Sequence, residues 1–149
     1  MRAMDDIIFN EISRSVDETE RLGAKLAELF KSSDLPRFVA LDGDLGAGKT
    51  AFTRGFCSVF CPNAKVKSPS FAIVNEYRGE TDVYHFDVWR ITDGDDLYST
   101  GFYDYSDRRG IIVCEWAENI KYALPDAYVS VEISKVDDDA RRIVCKLIK

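Results

Sequence analysis

The sequence has few of the residues that mark several specialised classes of protein. Its 149 residues include one histidine, four cysteines and four prolines. No run of about 18 apolar residues occurs, which excludes a membrane-spanning helix. The first residues, MRAMDDIIFNEIS, carry acids where a signal peptide has a basic stretch and then a longer apolar one. We therefore expect a cytoplasmic protein.

The few cysteines do not form a metal-binding pattern. Cys57 and Cys61 lie one helical turn apart, but no second pair follows at the spacing of a zinc site. Free cysteines are among the most buried residue types. The thiols are therefore expected to be reduced core residues, and they are Cys57, Cys61, Cys114 and Cys145.

The sequence also lacks the positive charge of a nucleic-acid-binding protein. Its formal net charge is −6, whereas Lys and Arg contacts to phosphates dominate the affinity of such proteins. Tight, autonomous RNA binding is therefore not expected. The content of 46% hydrophobic and 31% charged residues is that of a globular protein. The length predicts one domain, residues 1–149.

Hydrophobic periodicity predicts alternating strands and helices in the first half. IIFNEIS reads as a strand, and SVDETERLGAKLAELFKSS reads as a helix that begins with the capping box of Ser15 and Glu18. RFVALDG reads as a buried strand. TAFTRGFCSVF reads as a helix with an apolar core-facing stripe, formed by Phe52, Phe56, Val59 and Phe60.

The second half predicts mainly strands. FAIVNEYRG and DVYHFDVWRI form an expected hairpin, and GIIVCEW is a further apolar strand. Short helices and loops are expected from Thr92 to Arg109. AYVSVEISKV and ARRIVCKLI predict a terminal hairpin. Together these elements predict an α/β domain with a mixed sheet, whose parallel part is covered by helices on both faces.

The stretch GDLGAGKT matches the phosphate-binding P-loop motif G-x-x-x-x-G-K-[ST] at every fixed position, between a predicted strand and a predicted helix. Backbone N–H groups of such a loop, aided by the helix N-terminus, bind phosphate oxygens. Lys49 would reach the β- and γ-phosphates of a nucleotide, and the Thr50 hydroxyl would bind Mg²⁺. The expected loop contacts come from Asp44, Leu45, Gly46, Ala47 and Gly48.

A P-loop site also needs a carboxylate from a neighbouring strand. Glu115 ends the apolar run IIVCE, and Asp87 ends YHFD. We expect Glu115 to hold the metal. Asp87 is the candidate for a catalytic or switch role, because a carboxylate in so apolar a run requires a polar partner.

Other polar and aromatic residues give weaker signals. His85 is the single histidine and is expected to be structural rather than a base. Trp89 and Trp116 are expected to pack in the core. Ser68 and Ser70 leave two alternatives open, a nucleotide-sensing switch or a turn stabilised by the intervening proline.

The segments GDLGAGKT, VKSPSFAIVNEY, YHFDVWR and VCEWAE occur in the order and spacing of a known family. The sequence resembles TsaE, also called YjeE, from about Ser13 to the C-terminal hairpin. These are small P-loop ATPases needed for the threonylcarbamoyladenosine modification of tRNA. The SPSF, HFD and EW stretches make the resemblance far more specific than the glycine loop alone.

The resemblance implies a three-layer α/β/α P-loop NTPase domain that uses ATP and Mg²⁺. Lys49 and Asp87 would be catalytic, Thr50 and Glu115 would bind the metal, and Glu118 would lie near the nucleotide. The implied partners are homologues of TsaB and TsaD, and tRNA would be reached through them. The oligomeric state stays open between a monomer and a nucleotide-dependent dimer.

Some positions depart from the family, and other functions stay open. Ser70 replaces the usual threonine, and Asp95 and Asp96 replace paired glutamates, which leaves any partner contact there open. A small-molecule or nucleoside kinase would use the same loop but usually carries arginines on a lid, for which SDRRG is the only close pair before the C-terminal hairpin. A binding module that needs ATP without hydrolysing it is the third alternative.

Overall fold

The chain forms a β-sheet flanked by helices, seen in a computed structural model that describes residues 6–44, 47–69 and 73–149. The elements of the first half are β1 Asp6–Ser13, α1 Val16–Ser32, β2 Phe38–Gly43, α2 Lys49–Phe60, β3 Val74–Tyr77 and β4 Val83–Asp87. Those of the second half are α3 Gly94–Ser99, α4 Phe102–Ser106, β5 Ile111–Glu115, a 3₁₀ helix Ala117–Ala123, β6 Tyr128–Asp137 and β7 Ala140–Ile148.

The sheet is mixed, and its order is β1-β7-β6-β2-β5-β4-β3. The central strands are parallel: β2 pairs with β5 and β6, and β4 pairs with β5. Antiparallel pairs complete the sheet on both sides: β3 pairs with β4 on one side, and both β1 and β6 pair with β7 on the other. The parallel pairing brings the carboxyl ends of β2, β4 and β5 to one edge of the sheet. The polar residues predicted to be functional lie at or just after these strand ends.

Helices cover both faces of the parallel strands, because alternate residues of each strand point to opposite sides. In β5, Val113 packs in the cluster under α1 and α2, whereas Ile112 and Cys114 pack under α3, α4 and the 3₁₀ helix. All five β5 residues are buried. The predicted three-layer α/β/α class with a mixed sheet is confirmed.

Helix α1 begins where the sequence predicts it. The Ser15 hydroxyl accepts a hydrogen bond from the Glu18 N–H at 3.0 Å. The Glu18 carboxylate accepts the N–H of Arg14, one residue before the position that a capping box usually uses. Leu26 is fully buried and Leu22 packs against the same core.

Most local expectations agree with the structure, and a few do not. All four cysteines are free and buried. The 3₁₀ helix after β5 was not anticipated. Trp89 was expected in the core, but 57% of it is exposed. Among the described residues, no helix is long and apolar enough to cross a membrane. The predictions on Leu45, Gly46 and Ser70 lie outside the described residues.

Candidate functional site

The loop between β2 and α2 has the geometry that its glycines predict. Gly48 precedes the helix with φ of +112°, a conformation that side chains rarely adopt. A Cβ atom at Gly43 would lie 2.9 Å from the carbonyl oxygen of Ile133 on β6. The N–H of Ala47 donates to the carbonyl of Asp44 at 2.9 Å, which curls the loop. Both glycines are therefore required by the backbone path.

Helix α2 begins at Lys49, so the predicted phosphate and metal residues occupy its first turn. Lys49 and Thr50 are the first two residues of the helix. The N–H groups of a first helical turn have no partner within the helix, and the helix dipole favours an anion there. This end of α2 can therefore bind phosphate.

The structure brings Lys49 and Glu115 together, as the motif predicts. The Lys49 Nζ lies 3.5 Å from the Glu115 Oε1, and only 10% and 6% of the two side chains are exposed. Glu115 ends β5, which lies beside β2 in the sheet. The site thus has a cation at the start of α2 and a carboxylate at the end of the neighbouring strand.

The environment keeps Glu115 ionised. Burial raises its pKa, but the hydrogen bond from His85 and the positive charge of Lys49 lower it, and the net result is a pKa below its usual value. The Nε2 of His85 lies 2.5 Å from the Oε2 of Glu115. His85 was expected to be only structural, and nothing in the sequence links it to Glu115, 30 residues later.

Asp87 lies next to Glu115 at the same edge of the sheet. The two residues are register partners at the ends of β4 and β5. The Asp87 Oδ1 accepts the N–H of Trp89 at 2.9 Å, and this is a polar partner of the kind its apolar run required. The pKa of the buried Cys114 thiol reflects the acids at this edge of the sheet. Burial raises this pKa, and the charges of Glu115, Asp87 and Glu118 raise it further.

Glu118 is placed less directly than the other predicted residues. It is exposed in the first turn of the 3₁₀ helix, three residues after Glu115. It lines a groove of about 460 Å³ with Asp42, Lys121 and Glu132. The structure therefore places Glu118 on the wall of a groove that Lys49 does not line.

Trp116 forms an aromatic wall of the site rather than core packing alone. Lys49 Nζ lies 5.2 Å from the centre of its ring, and its ring lies 4.4 Å from that of Trp89. Its φ of 64° makes it the one non-glycine residue with positive φ in the described part of the chain. Such backbone strain in a bulky residue is typical of a functional site.

A hollow beside the loop was not anticipated from the sequence. Its volume is about 220 Å³, and it adjoins the start of α2 at Ala47, Gly48 and Ala51. The connection from β1 to α1 and the turn from β6 to β7 complete its wall, with Arg14, Ser15, Asp138, Asp139 and Arg141. These residues belong to segments far apart in the sequence, and so no local pattern could reveal the hollow.

The site fits a metal bound mainly by phosphate and water. No group of three or more His, Cys, Asp or Glu side chains that could hold a metal occurs within the described residues. Mg²⁺ in phosphate sites usually needs only one or two protein ligands, because phosphate and water provide the rest. Thr50 and the ionised Glu115 are suited to that role.

The fold and the loop define the chain as a P-loop protein of the α/β class. A family model described as "Threonylcarbamoyl adenosine biosynthesis protein TsaE" matches residues 13–143. The chain therefore belongs to the TsaE family, as the resemblance indicated.

Individual relatives agree with this assignment. The chain is 39% identical to the tRNA threonylcarbamoyladenosine biosynthesis protein TsaE of Haemophilus influenzae, over 83% of this chain and 79% of that protein. The values for the protein of the same name from Bacillus subtilis are 37%, 85% and 78%. The crystal structure of Bacillus subtilis YdiB superposes with a TM-score of 0.80 and 30% identity, covering 99% of this chain and 90% of that one.

Proposed function

We propose that the protein is a Mg²⁺-dependent ATPase that supports the N6-threonylcarbamoyladenosine modification of tRNA by acting on a complex of TsaB and TsaD homologues. The observation that carries the proposal is the buried pair of Lys49 and Glu115, held at the start of α2 behind the left-handed Gly48. A cation, a carboxylate and free helical N–H groups at one point suit a Mg²⁺-bound triphosphate.

Each residue has a role that follows from its position. Lys49 would neutralise the phosphates, and Thr50 and Glu115 would hold Mg²⁺, whose charge would stabilise the phosphate oxygens. The hollow beside Gly48 takes the remainder of the nucleotide. Asp87, beside Glu115, orients the attacking water. Trp116 lies over Lys49 and limits the access of bulk solvent.

A protein partner is supported by exposed aromatic residues, one of which, Trp89, contacts Trp116 of the site. Four exposed aromatic rings, here called the aromatic face, lie on the loop after β4, on α3 and α4 and on the 3₁₀ helix, and they are Trp89, Tyr98, Tyr103 and Tyr122. Aromatic residues are enriched in protein interfaces. The segment from Ile91 to Asp107, which carries Tyr98 and Tyr103, has five acids and no base, whereas Trp89 and Tyr122 adjoin Arg90 and Lys121. The charge of that segment suits a basic partner surface better than tRNA itself.

The kinase alternative has less support. One side chain of the arginine pair that could form a lid is engaged elsewhere: Arg108 lies on the ring of Tyr105 at 4.3 Å and pairs with Glu76. The carbonyl of Arg109 accepts a hydrogen bond from Arg37. These contacts are on the side of α4 and β3, and none of them includes Lys49 or Glu115.

The test of the proposal is ATP hydrolysis by the purified protein, alone and with TsaB and TsaD homologues and tRNA. We expect slow turnover alone and a sharp rise when the partners are added. A hydrolysis rate that does not change with the partners but rises when a small metabolite is added would favour the kinase. Hydrolysis that no addition stimulates would favour an ATP-dependent binding module.

A further inference from the structure

The imidazole of His85 is fully buried directly behind the site carboxylate. His85 lies on β4 beside Val113 of β5, two residues before Glu115 along the neighbouring strand. Its exposed fraction is 0%, and its Nδ1 has no hydrogen-bond partner among the described residues. The polar contact that the structure gives this ring is the one between Nε2 and Glu115.

Packing alone does not explain a histidine at this position. An unpartnered polar atom in a buried site costs free energy that an apolar side chain of similar size would avoid. Val83, two residues earlier and also fully buried, shows that an apolar residue suits this strand. The hydrogen bond that Nε2 makes with Glu115 therefore explains why a histidine occupies this position despite the free-energy cost of burying an unpartnered Nδ1.

The two oxygens of Glu115 have different partners at different distances. Oε2 lies 2.5 Å from the Nε2 of His85, which is a direct hydrogen-bond contact. Oε1 lies 3.5 Å from the Nζ of Lys49, which is longer than a normal N–H to oxygen hydrogen bond. The contact with His85 is thus the tight one, and the contact with Lys49 is the looser one.

We propose that His85 is a positioning residue, which holds Glu115 by Oε2 so that Oε1 can be transferred from Lys49 to a divalent cation when a nucleotide binds. The inference rests on the proposed function, since phosphates must draw Lys49 away from Oε1. Without the bond from His85, the carboxylate would be free to rotate at that moment. Partners of this kind fix the orientation of a ligand without touching the metal or the substrate.

The wild-type protein offers a direct test, because its single histidine gives one pair of ring signals, Nδ1 and Nε2, in nitrogen NMR. In protein grown with nitrogen-labelled histidine, we expect a protonated Nε2 and a bare Nδ1. The hydrogen bond to Glu115 should persist when ADP and Mg²⁺ are added. A proton on Nδ1 instead, or a bond that disappears with ADP and Mg²⁺, would overturn the inference.

A second test measures ADP affinity by calorimetry with and without Mg²⁺. His85→Leu removes the donor at similar volume, and His85→Gln keeps a donor at the end of the side chain. We expect His85→Leu to weaken the Mg²⁺-dependent gain in affinity by about tenfold or more, and His85→Gln to retain most of it. Affinity for ADP without Mg²⁺ should be similar in all three proteins.

Val83→Ala is the matched control, because Val83 is buried on the same strand but lies opposite Ile111, four residues before Glu115. It should lower stability and leave the Mg²⁺-dependent gain intact. If His85→Leu kept the full Mg²⁺-dependent gain in ADP affinity, or if Val83→Ala lost as much of that gain, His85 would have no positioning role. If the ADP affinity of the wild-type protein did not depend on Mg²⁺, the proposed metal function would be refuted instead, and with it the transfer of Oε1 from Lys49 to the cation.

Discussion

At the scale of single residues, Glu115 connects the parts of the site. It is the residue that contacts both Lys49 and His85, and it lies beside Asp87 in the sheet. The sequence identified Glu115, Lys49 and Asp87 because each occupies a fixed place in a motif or ends an apolar run. It did not reveal the bond from His85, since pairing of β4 with β5 is a long-range event.

The ionisation of Glu115 predicts a pH dependence of stability. Its pKa in the folded chain lies below the usual 4.5. A depressed pKa contributes stability above the pKa of the unfolded chain, and this contribution is lost as pH falls through the folded value. In the absence of nucleotide, the stability difference between wild type and Glu115→Gln should therefore shrink from about pH 6 to about pH 3, measured by urea unfolding. A difference that is constant or grows on acidification would contradict the pairing.

Asp87→Asn tests the second carboxylate. Asparagine keeps the oxygen that accepts the N–H of Trp89, so the turn after β4 should survive. We expect ADP affinity close to that of wild type and partner-stimulated hydrolysis reduced by about 100-fold, in the range for loss of a positioned acid–base group. Single-turnover assays measure the hydrolysis step separately from nucleotide binding. Normal turnover would remove Asp87 from the chemistry.

At the scale of elements, the helices and strands near the site follow local rules. The cap of α1, the apolar stripe of α2 and the β3–β4 hairpin could each be read from a short segment. The 3₁₀ helix after Trp116 could not, because it depends on contacts such as those of the Asn119 amide with the carbonyls of Val88 and Trp89. Exposure of Trp89 was missed for a similar reason: its ring packs against that of Trp116 in a tilted contact at the surface.

The contact between α1 and α2 sets the position of Lys49, and it depends on glycine. A Cβ atom at Gly55 would lie 1.8 Å from the carbonyl oxygen of Glu20. We expect Gly55→Ala to force the helices apart and to lower the free energy of unfolding by about 3 kcal/mol. Gly94→Ala is the matched control, since the nearest atom would lie at 3.9 Å. Equal stability of the two variants in urea would show that the close approach is unimportant.

At the scale of the whole molecule, strand order joins segments that the sequence keeps apart. β2 lies between β5 and β6, so the loop from the first third of the chain meets Glu115 and the final hairpin. Local patterns predicted each strand and the α/β class but not this order, because the sequence of one strand does not specify which other strand pairs with it. The hollow beside Gly48 depends on the same long-range arrangement.

The aromatic face is expected to bind the partner complex. Tyr98 is 75% exposed and contacts Tyr103 at 6.3 Å between ring centres. Tyr98→Ala should raise the concentration of TsaB–TsaD homologues needed for half-maximal stimulation by about tenfold, the effect of losing a moderate interface anchor. Val136→Ala is the control, because Val136 is 53% exposed on β6. Similar effects of both changes would place the partner elsewhere.

The most direct test of the phosphate site is a calorimetric titration of ATP in the presence of Mg²⁺. We expect wild type to bind one nucleotide per chain and Lys49→Ala to bind at least about tenfold more weakly, because charged hydrogen bonds to phosphate are lost. Lys25→Ala, which changes a surface lysine paired with Glu11, should bind as wild type does. Equal affinity of the Lys49→Ala and wild-type proteins would contradict the assignment of this loop to nucleotide phosphate.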